Sequence, residues 1–359
     1  MSDQKRLFLL DAYALIFRGY YALIKNPRIN SKGMDTSAIM GFVNSLFDVI
    51  RREKPDHLAV CFDKDGSAER TELFADYTAN RDETPDAIRV AVPIIQDILK
   101  AMHIPVVEVS GLEADDIIGT LAKQAESQGY KVYMVTPDKD FGQLVSDNIF
   151  MYRPARMGNG IEIWGIPEIQ ERFGVQHPEQ VIDYLGMMGD ASDNIPGLPG
   201  VGDKTAKKFI AEFGSMEELL ANTDKLKGKM KEKVEANADL GRLSKKLATI
   251  CITCDVLFDE KDYELSQPDS KQVQAIFEDL EFRRLREQFL KIFFSESNET
   301  KTTTSAPVKE VPKGVAGGGQ FSLFGDNGAE TEGKVISGRR TIKDTAHVYQ
   351  LVNPGMSRK

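Results

Sequence analysis

The sequence of 359 residues has few cysteines and histidines, and it lacks any long apolar run. Its three cysteines, Cys61, Cys251 and Cys254, cannot form the disulfide framework of a small secreted domain. Its four histidines make a hydrolase with a Ser/His/Asp triad an unfavourable interpretation. No stretch approaches the roughly 18 apolar residues of a membrane-spanning helix, and Asp11 interrupts the N-terminal run Leu7–Leu10, which makes that run a poor signal peptide. We therefore expect a cytoplasmic protein without a membrane partner.

Cys251 and Cys254 have the CxxC spacing of many zinc ligands. Zinc would require a second pair of ligands, and none of the four histidines lies near enough in the sequence to suggest one. Residues 247–257 are mostly apolar or small, so we predict a β-strand there, in which the two thiols are small apolar side chains.

The charge balance excludes one class of nucleic-acid-binding protein. With 46 basic and 55 acidic residues the net charge is −9, which argues against a protein that coats nucleic acid by bulk charge. It does not argue against carboxylates that bind metal ions beside local basic patches that bind phosphate. The length and the 41% hydrophobic content fit two globular domains and a tail.

Three apolar runs in the first half of the sequence each end in acidic residues. They are Leu7–Leu10 before Asp11, Leu58–Phe62 before Asp63, and Val132–Pro137 before Asp138 and Asp140. Helical patterns over 37–52, 85–102 and 113–128 separate the runs, which predicts an α/β fold with a parallel sheet. Because ligands bind beyond the carboxyl ends of strands in such sheets, we expect these acids to meet at one edge.

Nine acidic side chains at strand ends or in turns form a candidate metal site. They are Asp11, Asp63, Glu113, Asp115, Asp116, Asp138, Asp140, Asp190 and Asp193. Carboxylates at one edge repel each other unless cations neutralise them, and oxygen ligands favour Mg²⁺, with Mn²⁺ as the alternative. Two such ions about 3.5–4 Å apart can activate a water and stabilise both oxygens of a phosphodiester. The acids therefore predict metal-dependent phosphoryl hydrolysis, and solvated surface acids are the alternative.

A glycine-rich turn interrupts the helical pattern that begins at about Pro178. Gly197, Gly200 and Gly202 lead directly into a helix that carries Lys204, Lys207 and Lys208. Glycines let the backbone approach a phosphate closely, and the free amides of a helix N-terminus point at it. We predict a contact with the sugar-phosphate backbone that does not read bases; a plain helix connector is the alternative. The lysine-rich run 225–233 fits a solvated face and an extension of this contact equally well.

Taken together, these motifs resemble the 5′-nuclease domain of bacterial DNA polymerase I, within the flap endonuclease and 5′-3′ exonuclease family. The resemblance covers about residues 7–294, and it is carried by Gly111–Asp116, Thr136–Asp140 and Gly189–Gly197. It implies a PIN-like parallel-sheet nuclease core over 1–175 with a helical arch over about 64–87. It further implies an α-helical helix-hairpin-helix DNA-binding domain over 176–294 and a flexible linker over 295–359 toward a downstream domain.

The resemblance also implies the function. It is that of a structure-specific 5′-3′ exonuclease and 5′-flap endonuclease that serves primer removal and repair with two metal ions. The implied partners are DNA with 5′ flaps or 5′ ends, and also RNA primers. A K⁺ ion is implied at the helix-hairpin-helix element, and a monomer is the expected state.

Individual roles follow from the same resemblance. Asp11, Asp63, Glu113 and Asp115 match the ligands of the first metal ion, and the remaining five acids match the second ion or its outer shell. Arg70 and Arg81 match catalytic positions that contact the scissile region. Tyr77 matches a position suited to stacking on a base, and Arg18 matches a phosphate contact.

Two rival functions share part of this evidence. A related metal-dependent ribonuclease would have the strand-end acids but would not need the glycine-rich turn and its helices. A non-catalytic structure-specific DNA-binding module would explain that turn and the basic patches, but it would leave the acids as unexplained repulsion.

The sequence departs from the family at Thr78, where lysine usually follows the tyrosine. That lysine is thought to stabilise charge that develops on the phosphate, a role that Lys64, Arg70 or Arg81 could take over here. We predict that Thr78→Lys raises the cleavage rate, because a well-placed cation contributes a few kcal/mol in such sites. Single-turnover cleavage of a 5′-flap duplex measures this, and an unchanged or lower rate would mean that another cation already holds the position.

Overall fold

A mainly parallel β-sheet lies at the centre of the computed structural model, which describes residues 4–81, 83–154 and 160–294. Its strands are β1 (Arg6–Asp11), β2 (His57–Cys61), β3 (Val106–Val107), β4 (Lys131–Val135), β5 (Ile149–Pro154) and β6 (Ile161–Trp164). Within the described residues their order is β3-β2-β1-β4-β5-β6, and only β5 and β6 pair antiparallel. The prediction of an α/β fold with a parallel sheet is confirmed, whereas the linker expected over 295–359 lies outside the described residues.

Helices cover both faces of the sheet. In chain order they are α1 (Ala12–Leu23), α2 (Ser37–Glu53), α3 (Ala68–Leu73), α4 (Asp86–Ala101), α5 (Ala114–Ser127), α6 (Ile166–Phe173), α7 (Gln180–Met188), α8 (Asp203–Phe213), α9 (Met216–Ala221), α10 (Gly228–Ala236), α11 (Ala238–Ala248), α12 (Glu260–Tyr263), α13 (Ser270–Asp279) and α14 (Arg283–Phe294). Single 3-10 turns occur at Asp140–Leu144 and Thr223–Lys225. None of the helices in the described part of the chain has both the length and the apolar character needed to cross a bilayer.

Strand β1 is apolar on both faces because it separates two hydrophobic cores. Leu7 and Leu9 point into a first core, which they share with α5 and with helices α6 to α11. Phe8 and Leu10 point into a second core formed with α1, α2, α4, α13 and α14. A continuous apolar run is typical of parallel strands that are covered on both sides. The parallel register aligns Asp11 with Cys61 of β2, so the acids that follow the strands lie at one edge.

Residues 249–258 follow α11 without forming a strand, so the strand predicted over 247–257 is wrong. The backbone amides of residues 249–258 donate to three side chains of α5, which are spaced four residues apart on one face of that helix. The bonds are Cys251 N to Asp116 Oδ1 (2.8 Å), Cys254 N to Thr120 Oγ1 (3.1 Å) and Phe258 N to Gln124 Oε1 (2.8 Å). Helix side chains thus take the place of a neighbouring strand, because a backbone polar group near the core must be paired.

Helices α1 and α2 cross at a glycine pair. A Cβ atom on Gly41 would lie 2.3 Å from the Cα of Gly19, and one on Gly19 would lie 2.8 Å from the Cα of Gly41. The backbones therefore touch, which fixes α1 close to α2. Asp11, the first of the predicted metal ligands, is the residue that caps the N-terminus of α1.

We predict that Gly41→Ala destabilises the protein, because the added methyl group forces the two helices apart at a cost of about 1–3 kcal/mol. Chemical denaturation measures the change in the free energy of unfolding. Ser45→Ala is the control, since Ser45 lies one turn further along α2 and its hydroxyl donates to the carbonyl of Gly41 in the same helix; we expect a change within about 0.5 kcal/mol. Equal stability of Gly41→Ala and the parent protein would contradict the close crossing.

Candidate metal centre

The acids that follow β1 and β2 are held at the carboxyl edge of the sheet by specific hydrogen bonds. Asp11 Oδ1 accepts the amide of Ala14 at 3.1 Å, and Asp11 Oδ2 accepts the hydroxyl of Thr136, just after β4, at 2.9 Å. Asp63 Oδ1 accepts the amide of Ala114 at 2.7 Å. Each of these bonds uses one carboxylate oxygen to tie neighbouring elements of the edge together.

A first carboxylate group lies at the start of α5. Glu113, Asp115 and Asp116 each offer a ligand atom, and these atoms lie within 4.8 Å of one another. The free amides of a first helical turn favour negative charge there. Asp116 belongs to this group because it shares the turn with the other two, so the geometry does not favour the expected grouping of Asp116 with the second ion.

A second carboxylate group forms between the 3-10 turn and the loop after α7. It comprises Asp138, Asp140, Asp190 and Asp193, whose charges act on the pKa values of Asp138 and Asp140. Unlike the first group, it does not bring three ligand atoms of the described residues within 4.8 Å of one another. The ammonium of Lys139 contacts Asp190 and lies 3.6 Å from Asp140 Oδ1. Although burial opposes it, the hydrogen bond from Lys139 lowers the pKa of Asp190 below its usual value.

Arg81 spans the two groups. Its Nη2 lies 2.6 Å from Asp193 Oδ1, and its Nη1 lies 3.9 Å from Glu113 Oε1. The nine predicted acids contact three basic side chains among the described residues, those of Arg70, Arg81 and Lys139. A large excess of negative charge therefore remains at this edge.

Burial makes this excess costly for the carboxylates. Burial, and next the neighbouring charge of Asp63, raises the pKa of Asp11 to about 7. Burial also raises the pKa of further carboxyl groups of the site, namely Asp63, Glu113, Asp115, Asp138 and Asp140. An upward shift means that the charged form is disfavoured, and a bound divalent cation would reverse that preference.

The donor atoms fit a divalent cation. Asp140 Oδ1 is buried and accepts no hydrogen bond within the described ranges, and the ammonium of Lys139 lies 3.6 Å from it. The donor set consists of carboxylate oxygens, which suit hard cations such as Mg²⁺ and Mn²⁺ rather than zinc or copper. The residues present are therefore compatible with the expected metal ions.

Tyr77 and Arg70, which the sequence places in the arch, are both buried. Tyr77 is 7% exposed and belongs to the first core, where its hydroxyl donates to Glu113 Oε2 at 3.0 Å. This arrangement favours packing over base stacking. Arg70 is 6% exposed and pairs with Glu113 and Asp116. Arg18 is half-buried on α1 and donates to the carbonyl of Pro154 at 3.2 Å.

The segment around Thr78 is anchored on the loop that carries the second group. Thr78 N donates to the carbonyl of Asp193 at 3.0 Å. Between the same two segments, the side-chain amide of Asn80 donates to the carbonyl of Ala191, and that of Asn194 donates to the carbonyl of Asp76. Thr78 has a φ of 57°, which is strained for a β-branched residue. Of the three cations that could replace the family lysine, Lys64 pairs with Glu108 and Arg70 is buried. Arg81, beside the carboxylates, is the best placed.

The glycine-rich turn forms a tight hairpin before α8. Gly197 has a φ of 66°, and a Cβ atom there would lie 2.5 Å from the amide nitrogen of Gly189, so only glycine fits. Gly202 caps α8, on which Lys204 and Lys208 are exposed and Lys207 pairs with Asp203 at 2.9 Å.

The lysine-rich run reaches this hairpin from α10. A Cβ atom on Gly200 would lie 3.0 Å from the ammonium nitrogen of Lys233. Lys225, Lys227 and Lys229 of the same run are exposed. Lys233 therefore lies beside the hairpin, while both interpretations of the rest of the run stay open.

Lys139 is the residue of the centre that sequence reasoning missed. It lies between two acids of one motif, Asp138-Lys139-Asp140, but Lys64 has the same position in Asp63-Lys64-Asp65, so this position alone was a weak signal. Its contact with Asp190 joins parts of the chain 51 residues apart, which no local pattern indicates.

Comparisons with known proteins agree with this architecture. The family model described as "5'-3' exonuclease, N-terminal resolvase-like domain" matches residues 6–174, and the model "5'-3' exonuclease, C-terminal SAM fold" matches residues 176–271. The chain is 36% identical over 289 residues to a 5′-3′ exonuclease of Aquifex aeolicus, covering 80% of this chain and 96% of that protein. It is 39% identical over 290 residues to DNA polymerase I of Bacillus subtilis, of which it spans only 32%.

Solved structures share the fold at low sequence identity. Bacteriophage T5 5′-exonuclease with bound zinc ions matches with a TM-score of 0.59 and 20% identity, over 80% of this chain and 99% of that one. The catalytic core of Rad2 in complex with a DNA substrate matches with a TM-score of 0.55 and 17% identity, over 80% and 91% of the two chains. At these identities the likeness concerns the fold alone.

We predict that Asp140→Asn stabilises the protein in EDTA and weakens its stabilisation by Mg²⁺. The amide keeps the size of the side chain but removes one buried negative charge, so we expect a gain of about 1 kcal/mol, or roughly 2 °C in melting temperature. Thermal melts with and without Mg²⁺ measure both effects. Asp147→Asn, an exposed acid before β5 at the opposite edge of the sheet, is the control. A lower melting temperature in EDTA for Asp140→Asn would contradict the charge excess.

Proposed function

The chain belongs to the 5′-3′ exonuclease family and is a metal-dependent nuclease of that kind, and from this premise we propose that it removes 5′ flaps and 5′-terminal nucleotides from DNA. The observation that carries the proposal is the meeting of two carboxylate groups at one sheet edge beside a glycine hairpin. A phosphodiester hydrolase needs the first feature, and a protein that grips duplex DNA by its backbone uses the second. Rad2, which shares the fold, has been solved with a DNA substrate.

The carboxylates would hold two divalent cations, most simply Mg²⁺. Asp11, Asp63, Glu113 and Asp115 would bind one ion, and Asp138, Asp140, Asp190 and Asp193 the other. Such ions supply an activated water and stabilise the attacking and leaving oxygens of the phosphodiester. Asp116 would act through its neighbours, since Arg70 and Cys251 already donate to both of its oxygens.

Side chains of the predicted arch would orient the substrate. Arg81 is half-exposed beside both carboxylate groups, so its guanidinium can neutralise charge on the scissile phosphate. Tyr77 would hold Glu113 in place through its hydroxyl. Arg18 would contact a phosphate near the end of β5.

The hairpin would hold the duplex away from the cleavage point. Amides at Gly200 and Gly202 and the exposed Lys204 and Lys208 would present donors and positive charge to a phosphate backbone. The amide of the buried Gly197 already donates to Ser244 Oγ at 2.9 Å, so Gly197 would shape the turn and would not contact the phosphate itself. We further propose a K⁺ ion at this hairpin and a division into a nuclease core over 1–175 and a helix-hairpin-helix domain over 176–294. We also propose that the protein acts as a monomer in the cytoplasm and that it acts on RNA primers as well as DNA flaps. Finally, we propose that it is the N-terminal part of a DNA polymerase I.

A cleavage assay with a metal-ligand variant tests the proposal. The chain is incubated with an end-labelled duplex that carries a 5′ flap, in Mg²⁺, in Mn²⁺ and in EDTA, beside a matched RNA. We expect metal-dependent release of the flap near the junction. Asp138→Ala should abolish cleavage but leave DNA binding unchanged, because it removes a metal ligand and no DNA contact; Asp147→Ala is the control.

Three outcomes would contradict parts of this proposal. Binding without cleavage under both metals would favour a non-catalytic DNA-binding module. Preferential cleavage of the RNA would favour a ribonuclease. Retained cleavage by Asp138→Ala would remove that residue from the metal centre.

A further inference from the structure

Every N–H donor of the buried Arg70 side chain is used inside the protein. The five bonds run from Nε to the carbonyl of Leu247 (3.1 Å), from Nη1 to Glu113 Oε2 (2.5 Å) and Asp116 Oδ2 (2.9 Å), and from Nη2 to Asp116 Oδ1 (2.7 Å) and the carbonyl of Thr249 (3.0 Å). A guanidinium has five N–H groups in a fixed planar arrangement. In this arrangement Arg70 therefore has no donor left for a phosphate.

These bonds join three segments that are distant in the sequence. Arg70 itself lies on α3, Glu113 and Asp116 lie at the start of α5, and the carbonyls of Leu247 and Thr249 lie at the end of α11. Asp116 is only 3% exposed and accepts a further bond from the amide of Cys251. The orientation of the first carboxylate group thus depends on how α11 and residues 249–258 dock against α5.

We propose that Arg70 is a positioning residue, which orients Glu113 and Asp116 by tying them to the end of α11, and that it does not contact the scissile phosphate. Two features of the geometry carry this inference. The paired oxygens of Asp116 receive two parallel N–H donors, which only arginine supplies. The two backbone carbonyls add anchors that a single ammonium could not reach together with both carboxylates.

The inference rests on the proposed function for its kinetic readout, but not for its binding readouts. If Arg70 works by geometry, Arg70→Lys keeps the charge and still fails, because lysine cannot reproduce the five bonds. Loss of a residue that orients metal ligands typically costs about 10–100-fold in metal affinity or activity. We therefore expect Arg70→Lys to bind Mn²⁺ about 10-fold more weakly than the parent protein, measured calorimetrically without DNA.

Arg81→Lys is the matched control for cation binding. Arg81 contacts Glu113 at 3.9 Å and Asp193 at 2.6 Å, but from a half-exposed position, so its replacement by lysine keeps a mobile charge beside both carboxylates. We expect its Mn²⁺ affinity to stay within about 2-fold of the parent value, since exposed ion pairs are weak. An unchanged Mn²⁺ affinity in Arg70→Lys would overturn the inference.

Kinetics and DNA binding separate positioning from phosphate contact. For Arg70→Lys and Arg70→Gln we expect kcat on a flap duplex to fall about 10-fold or more, while the Kd for the same duplex in EDTA changes less than 2-fold. A phosphate contact would instead raise Kd and reduce its salt dependence. Such a result would overturn the inference, as would near-normal kcat in Arg70→Lys.

A double-mutant cycle tests whether Arg70 acts through Asp116. Arg70→Gln and Asp116→Asn should be non-additive, so that the double variant has the kcat of the worse single variant. Additive losses would overturn the inference. Thermal melts measure the folded fraction of each variant. If the loss of kcat is fully explained by a smaller folded fraction, Arg70 only stabilises the fold and the inference is overturned.

If Arg70→Gln does not fold, Arg70→Lys and Asp116→Asn still decide the matter through Mn²⁺ affinity. If the parent protein does not cleave the flap duplex, the proposed function fails. The calorimetric comparison of Arg70→Lys with Arg81→Lys then still tests the positioning role on its own.

Discussion

Mutual repulsion of carboxylates at one edge of the sheet is the constraint on which this structure depends. The parallel register of β1, β2 and β4 brings Asp11, Asp63 and Asp138 to the same edge, and α5 adds Glu113 and its neighbours. Their pKa values are raised by burial, so the fold holds these groups against their own electrostatic preference. Active sites commonly combine such local instability with function. Bound divalent cations would offset the repulsion between these carboxylates.

The surrounding chain limits this repulsion with a few basic side chains, each in a different setting. Arg70 is buried and bonded at every donor, Arg81 is half-exposed between the two groups, and Lys139 lies on the second group. Only Arg81 combines contact with both groups and access to solvent. These three positively charged side chains therefore differ in role, because burial and hydrogen bonding determine whether a side chain is free to contact a substrate.

Helix α5 connects the sheet to the helical part of the chain. Its apolar face belongs to the first core, while Asp116, Thr120 and Gln124 accept backbone amides from residues 249–258. The carboxylates at the start of α5 and the docking of α11 are consequently parts of one bonded arrangement. Arg70 thus links Glu113 to the end of α11.

The sequence by itself determined the α/β class, the three strands that end in acids and the glycine hairpin, because apolar period, strand-end position and glycine spacing are local properties. It also identified the family. It was wrong about a strand at residues 247–257, whose amides pair with side chains of a helix more than a hundred residues earlier. Only the tertiary structure decided that Tyr77 and Arg70 are buried and that Asp116 joins the first group. Burial and partner choice depend on contacts between distant segments, which a linear pattern of residues does not contain.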